Sequence, residues 1–222
     1  MYRGTDNHVH ELWSDGNRHV HDLTALAGAT PVAGDPNGYV FGFQGTQHVV
    51  YRGIDNHIHE LWSDGNWHVN DLVIRTNATS AVGDPSGYMF DAQGTQHIVY
   101  RGTDNHIHEL WWDGDWHKND LTTKANAITA MSDPTGYVFG AQGTQHVVYR
   151  GIDNHIHELW WDGNWHTHDL TAATTAVNAT SGHPNAYIFE SHRTQHVVYQ
   201  VSTITSTNYG GTALGTPLTL LP

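Results

Sequence analysis

Three residue types recur at fixed offsets and together suit a polar ligand: His48, Glu60 and Trp67, repeated as His97, Glu109 and Trp116 and as His146, Glu158 and Trp165. The set offers an N–H donor, a carboxylate acceptor and an aromatic face. A sugar needs that combination, because its hydroxyls exchange hydrogen bonds while the apolar face of its ring lies on an aromatic. The bland alternative is a polar contact between repeats beside a core tryptophan. Glu11 begins the glutamate series, with Arg18 at the tryptophan position and no histidine ahead of it in its unit. If the repeats close into a ring, His196 supplies that histidine; this first site is expected to be weak or empty.

Histidine carries the second chemistry. His8/His10, His57/His59, His106/His108 and His155/His157 are His-x-His pairs, and two imidazoles two apart on a strand share a face and can ligate one metal. They form a metal centre if their strand lines a central channel; four-fold repetition favours a scaffold role, so no metal or other cofactor is expected. A further set, His19/His21, His68, His117 and His166/His168, stands near Asp22, Asp71, Asp120 and Asp169, and carboxylate–imidazole bonds are expected there. No Gly-x-Ser-x-Gly nucleophile turn and no phosphate-binding glycine loop occurs. The expectation is binding without catalysis. The competing readings are a metal-dependent or acid–base enzyme built on the His-x-His rings, and a repeat scaffold with no ligand.

All these residues ride on one repeat. Gln44–Trp62 recurs letter for letter at Gln142–Trp160, and at Gln93–Trp111 with two changes, Val49→Ile98 and Ile54→Thr103. Tyr2, Tyr51, Tyr100, Tyr149 and Tyr199 mark spacings of 49, 49, 49 and 50. Within a unit, Gln47–Arg52 is β-branched and aromatic, Gly53–Asn56 is turn chemistry, and His57–Trp62 alternates. An Asp-Gly hairpin signal follows, then a strand at Trp67–Leu72, a long variable connection over 73–86, and a strand at Gly87–Asp91. Nothing holds a 3.6-residue period long enough for a helix. Four short strands at a fixed period predict an all-β propeller of about four four-stranded blades. The units run at about 1–46, 47–95, 96–144 and 145–200 within one domain, and 201–222 is expected to pack on it as an arm with one added strand. Nearly identical units need nearly identical surroundings, which rotation about an axis supplies. The ring closes within one chain or between chains, so homo-oligomerisation is an open expectation.

Composition narrows the partners. Nine Lys and Arg against 22 Asp and Glu give a net charge of −13, which excludes a sequence-independent nucleic-acid binder. Twenty histidines make the charge strongly pH-dependent. Cysteine is absent, no apolar run reaches a membrane span, and Met1 leads straight into the repeat without a signal peptide. The expected location is cytoplasmic or outside the cell by a non-classical route.

The run HVVYRGIDNHIHELW with its SDGNW continuation resembles the blade pattern of the fucose-binding β-propeller lectins, over residues 1–200. The resemblance implies glycans as partners, held between neighbouring blades by an Arg, a Glu and an aromatic. The glutamate falls on Glu11, Glu60, Glu109 and Glu158, and the aromatic on Trp67, Trp116 and Trp165. The family's arginine, twelve residues before the glutamate, falls on His48, His97 and His146, which is a departure from the pattern.

Overall fold

The structure is a computed structural model that describes residues 1–201 and the backbone of 218–220. The remaining residues of the expected arm lie outside the described part. Among the described residues, eighteen strands make five antiparallel sheets. The first holds β1 (Tyr2–Arg3), β2 (Val9–Ser14) and β3 (Arg18–Asp22). The second holds β4 (Asn37–Phe41), β5 (Thr46–Arg52), β6 (Ile58–Ser63) and β7 (Trp67–Asp71). The third runs β8 (Ser86–Phe90), β9 (Thr95–Arg101), β10 (Ile107–Trp112) and β11 (Trp116–Asp120). The fourth runs β12 (Thr135–Phe139), β13 (Thr144–Arg150), β14 (Ile156–Trp161) and β15 (Trp165–Asp169). The fifth pairs β16 (Ser181–Phe189), β17 (Thr194–Gln200) and β18 (Leu218–Leu220). Three sheets are thus complete four-stranded blades, and an incomplete sheet flanks them at each end. Each complete sheet takes its first strand from the end of the preceding sequence unit.

The first strands of successive sheets, β4, β8, β12 and β16, lie side by side. The fourth strands do not. A short helix fills the wider gap between them: α1 (Leu23–Ala27) packs on β7, α2 (Leu72–Thr76) on β11 and α3 (Leu121–Ala125) on β15, with α4 (Leu170–Thr174) following the fourth sheet. Sheets that converge at one edge and splay at the other are wedges about an axis, the propeller arrangement. Each five-residue helix is held at its start by an aspartate: Asp22, Asp71, Asp120 and Asp169 accept a backbone N–H three residues on. The sequence reading took this segment for an irregular connection.

The core lies in the seams, because consecutive side chains of a strand point into opposite ones. Val49 and Leu61 pack toward the first sheet, and Val50 and Ile58 toward the third. Tyr39 of β4 and Tyr88 of β8 each reach across a seam and lie flat over a glycine of the next sheet. A Cβ on Gly87 or Gly136 would sit 2.2 Å from the tyrosine ring, so only glycine fits there. The hydroxyls then donate to the next sheet's glutamine, Tyr39 to Gln96 at 3.3 Å and Tyr88 to Gln145 at 3.1 Å. The landmark tyrosines serve a different joint: Tyr51, Tyr100 and Tyr149 donate to the carbonyls of Thr30, Thr79 and Ile128 in the connections before them. The tight turns between second and third strands contain Asn7, Asn56, Asn105 and Asn154 in the left-handed region, which asparagine tolerates.

Candidate functional site

The glutamates sit on the third strand of their sheets, and the histidines directly beside them on the second. His97 Nδ1–H donates to Glu109 Oε1 at 2.9 Å, and Asn119 of β11 donates to Oε2 at 2.7 Å. The second sheet repeats this with His48 and Asn70 on Glu60, both at 2.8 Å. In the fourth, His146 binds Glu158 Oε1 at 2.9 Å and the Tyr137 hydroxyl donates to that same oxygen at 3.2 Å, while His168 stands opposite Glu158 where the other two sheets have asparagine. Burial and then the neighbouring glutamate charge push the phenols of Tyr39, Tyr88 and Tyr137 well above their ordinary range, so these hydroxyls remain donors.

The other ring nitrogen of each histidine is also engaged. Thr46, Thr95 and Thr144 hydroxyls lie 2.8 Å from Nε2 of His48, His97 and His146. With the hydroxyl donating, the neutral Nδ1–H tautomer satisfies both contacts. No donor is left for a ligand. These histidines hold each carboxylate in one orientation, with both ring nitrogens engaged inside the chain.

Glu60, Glu109 and Glu158 are 1%, 2% and 4% exposed, yet the seam above Glu109 is open. A cleft of about 480 Å³ separates the third and fourth sheets there, within the size range of small-molecule sites, roughly 300–1,000 Å³. His97, Glu109, Trp111, Asn119, Lys124 and Gln93 line one wall; Gln145, Trp161, Gly163, Asn164 and Trp165 line the other. Glu109 is the floor, and indoles stand on both sides.

The tryptophan assigned to Glu109 by repeat position, Trp116, does not line this cleft. The reason is strand parity. Trp116 pairs with Trp112, and Glu109 with Asn119, so they point to opposite faces of the sheet. Trp116 packs with Val50, Ile58 and Leu110 in the preceding seam, where Glu60 points. Trp165 joins the cleft of Glu109, and Trp67 lies in the seam of Val9 and Leu23, toward Glu11. Each glutamate thus meets the tryptophan of the following unit. Glu11 keeps a tryptophan despite Arg18, and it is Glu158 that has none after it. Glu11 itself is only 3.6 Å from His21 Nδ1, and His196, on β17, does not meet it. The sequence reading missed Lys124, Gln145 and Asn164. Lys124 Nζ donates to Asn119 Oδ1 at 2.6 Å, and Arg75 is its counterpart in the second unit.

The His-x-His pairs lie elsewhere. The innermost strands are β4, β8, β12 and β16, so His57/His59, His106/His108 and His155/His157, at or beside the third strands, form no ring at the axis. Their partners are local. His57, His106 and His155 bind the helix-capping Asp71, Asp120 and Asp169 at 2.8, 2.8 and 2.7 Å. His59, His108 and His157 bind Asp55, Asp104 and Asp153 of the turn. The later histidines, His19, His68, His117 and His166, bind Asp15, Asp64, Asp113 and Asp162, not the capping aspartates expected from proximity in sequence. Ligand atoms of Asp153, His155, His157 and Asp169 lie within 4.8 Å of one another, the fullest of four such clusters among the described residues. Hydrogen bonding and helix capping account for that geometry. No described helix is long and apolar enough to cross a membrane.

No protein-family model and no curated protein sequence matches the chain. Solved structures do. SapL1 lectin in complex with α-methyl fucoside is similar over 89% of this chain and 67% of its own, at 17% identity and TM-score 0.65. The Aleuria aurantia lectin, described as a six-bladed β-propeller with a novel fucose recognition mode, is similar over 91% of this chain and 70% of its own, at 16% identity and TM-score 0.58. AofleA of Arthrobotrys oligospora is similar over 90% and 61%, at 14% identity and TM-score 0.59. The fold is the one these lectin propellers share.

Proposed function

We propose that this chain is a carbohydrate-binding propeller whose sugar sites are the seams above Glu60, Glu109 and Glu158. The observation that carries the reading is the open cleft over Glu109: a fixed carboxylate at its floor, an indole on each side, and amides and an amine at its rim. Two of the carboxylate's lone-pair sites are filled by His97 and Asn119; the others can accept sugar hydroxyls. Charge-assisted bonds of this kind are worth about 1.5–3 kcal/mol each. Trp111, Trp161 and Trp165 offer stacking faces. Lys124 and Gln145 supply the donors that the histidine does not. The solved relatives in fold are described with fucosides, so fucosides are the first probes for this chain.

Repetition gives the function its strength. Sites weak singly gain about 10²–10⁴-fold when several engage one glycan-covered surface. The test is a glycan array probed with the native chain and with the Glu60/Glu109/Glu158→Gln triple variant, both verified as folded by circular dichroism. Selective array signals that vanish in the variant are expected. An equally bright, equally selective array with the variant refutes these sites.

A further inference from the structure

The Glu109 carboxylate is a buried charge without a countercharge. It is 2% exposed, and both of its donors, His97 in its neutral tautomer and Asn119, are uncharged. Glu60 is held in the same way by His48 and Asn70. Among the described residues no Lys or Arg nitrogen lies within 4.0 Å of Glu60, Glu109 or Glu158; histidine alone reaches each of them. Proteins bury a carboxylate with a partner of opposite charge, because taking a lone charge out of water is costly. The one cation of the Glu109 cleft, Lys124, is exposed at the rim and donates to Asn119 Oδ1, not to the carboxylate.

The walls share this bias. Trp111, Trp161 and Trp165 line the cleft on both sides of Glu109, and an indole face attracts a cation more strongly than a phenol or phenyl face does. Beyond the cleft, the whole chain carries a net charge of −13, a field that draws cations toward it.

The hydrogen bonds left open decide which cation fits. His97 and Asn119 fill two of the lone-pair sites of Glu109, and the others face the cleft. A quaternary ammonium has no N–H and leaves those sites unmatched. A primary ammonium carries three N–H donors and matches them. An amino sugar joins that ammonium to a ring with an apolar face for an indole and hydroxyls for Gln145 and Asn164.

We propose that these seams take sugars bearing a free ammonium group, and that the partner is a glycan built of amino sugars, a polycation. This rests on the sugar reading above and narrows it. The ligand's ammonium sits on Glu109 between the indoles and supplies the countercharge that the fold does not. Lys124 repels it from the rim and so directs it to the floor. The acidic surface of the chain speeds encounter with such a polymer. N-acetylation removes the charge, so an acetylated chain of the same sugars is the ligand these seams disfavour.

The test compares glucosamine with glucose and N-acetylglucosamine, and galactosamine with galactose and N-acetylgalactosamine, by calorimetry on the native chain, with α-methyl fucoside as the neutral reference. At least one amine is expected to bind about tenfold or more tighter than both its neutral parent and its acetylated form. Glu109→Gln should remove one such site from the stoichiometry. Crystals of the native chain soaked in the amine should place the sugar nitrogen on a Glu109 oxygen, a readout that needs no variant. Neutral sugars bound as tightly as the amines would overturn the proposal and leave the sugar reading standing, whereas binding of no sugar would overturn both. A stoichiometry unchanged in folded Glu109→Gln, or a nitrogen seated away from the carboxylate, would assign the preference to net charge and overturn the site.

Discussion

Glu109→Gln perturbs the floor of the cleft by one atom and tests how that floor is held. The carboxylate is 2% exposed and accepts from His97 on one oxygen and Asn119 on the other. Neutralising it replaces two charge-assisted bonds by neutral ones, a loss of about 1 kcal/mol each. The new amide N–H₂ also faces the Asn119 N–H₂. Asn119 could flip to accept, but its oxygen already accepts from Lys124 at 2.6 Å. One buried donor goes unmatched, at about 1–3 kcal/mol. The sum is about 3–5 kcal/mol, read in urea or thermal unfolding. Replacing Lys124 as well, in Glu109→Gln/Lys124→Met, frees Asn119 to turn. A double-mutant cycle should therefore recover about 1 kcal/mol or more, above the roughly 0.3–0.5 kcal/mol expected of independent sites. A cycle that closes within that margin, or a single variant as stable as the parent, refutes the chain from Lys124 through Asn119 to the carboxylate.

Three further outcomes follow from the geometry. Trp165→Ala should strip one wall from the Glu109 cleft and reduce array binding, while Trp116→Ala should leave that cleft intact; crystals of the two variants soaked in a fucoside separate the seams by occupancy. Gly136→Val drives a Cβ into the Tyr88 ring and should cost about 1–3 kcal/mol, as overpacked cores do, visible as a melting temperature several degrees lower; an unchanged transition contradicts the flat seat. The His155–Asp169 pair gives a pH signature. Its hydrogen bond to Asp169 raises His155 above the ordinary 6.5, so that contribution is complete below pH 6.5 and fades as pH rises through the raised value. Burial pushes Asp169 upward, but the Ala172 N–H and His155 together outweigh it and hold the carboxyl below 3.8, so its contribution is complete above pH 3.8. With Asp153 and His157 unchanged, His155→Asn should cost most between pH 3.8 and 6.5 and least near pH 9; a penalty independent of pH refutes the assignment.

The propeller was legible because its signals are local and repeated. Alternation at His57–Trp62, the Asp-Gly turns and the spacing of the landmark tyrosines each act over a few residues, and all three survive in the strands observed. The helices were not legible. Five residues such as Leu72–Thr76 show barely more than one turn, too little for a 3.6 period, and Asp71 looked like a histidine partner when it is a cap as well. The glutamates and histidines were found together because they recur twelve residues apart, which places them diagonally across one hairpin, His97 opposite Trp111 and Glu109 opposite Val99. The tryptophan was paired with the wrong glutamate because closeness in sequence hid parity: an odd offset on a strand sends two side chains into different seams. The seat of Tyr88 on Gly136 was beyond reach, since it joins residues 48 apart across two sheets and leaves only an unremarkable Gly-Tyr in each unit.

Each complete sheet is stitched from the end of one repeat and the body of the next, and this has a consequence for how such a chain changes length. Removing or inserting 49 residues anywhere within the array rejoins like to like: an inner strand still finds its neighbour, a tyrosine its glycine, a capping aspartate its helix. Recombination between nearly identical coding repeats therefore yields a foldable arc with one seam more or one fewer. Valency becomes a quantity that copying errors can adjust in whole steps, without any new contact having to arise.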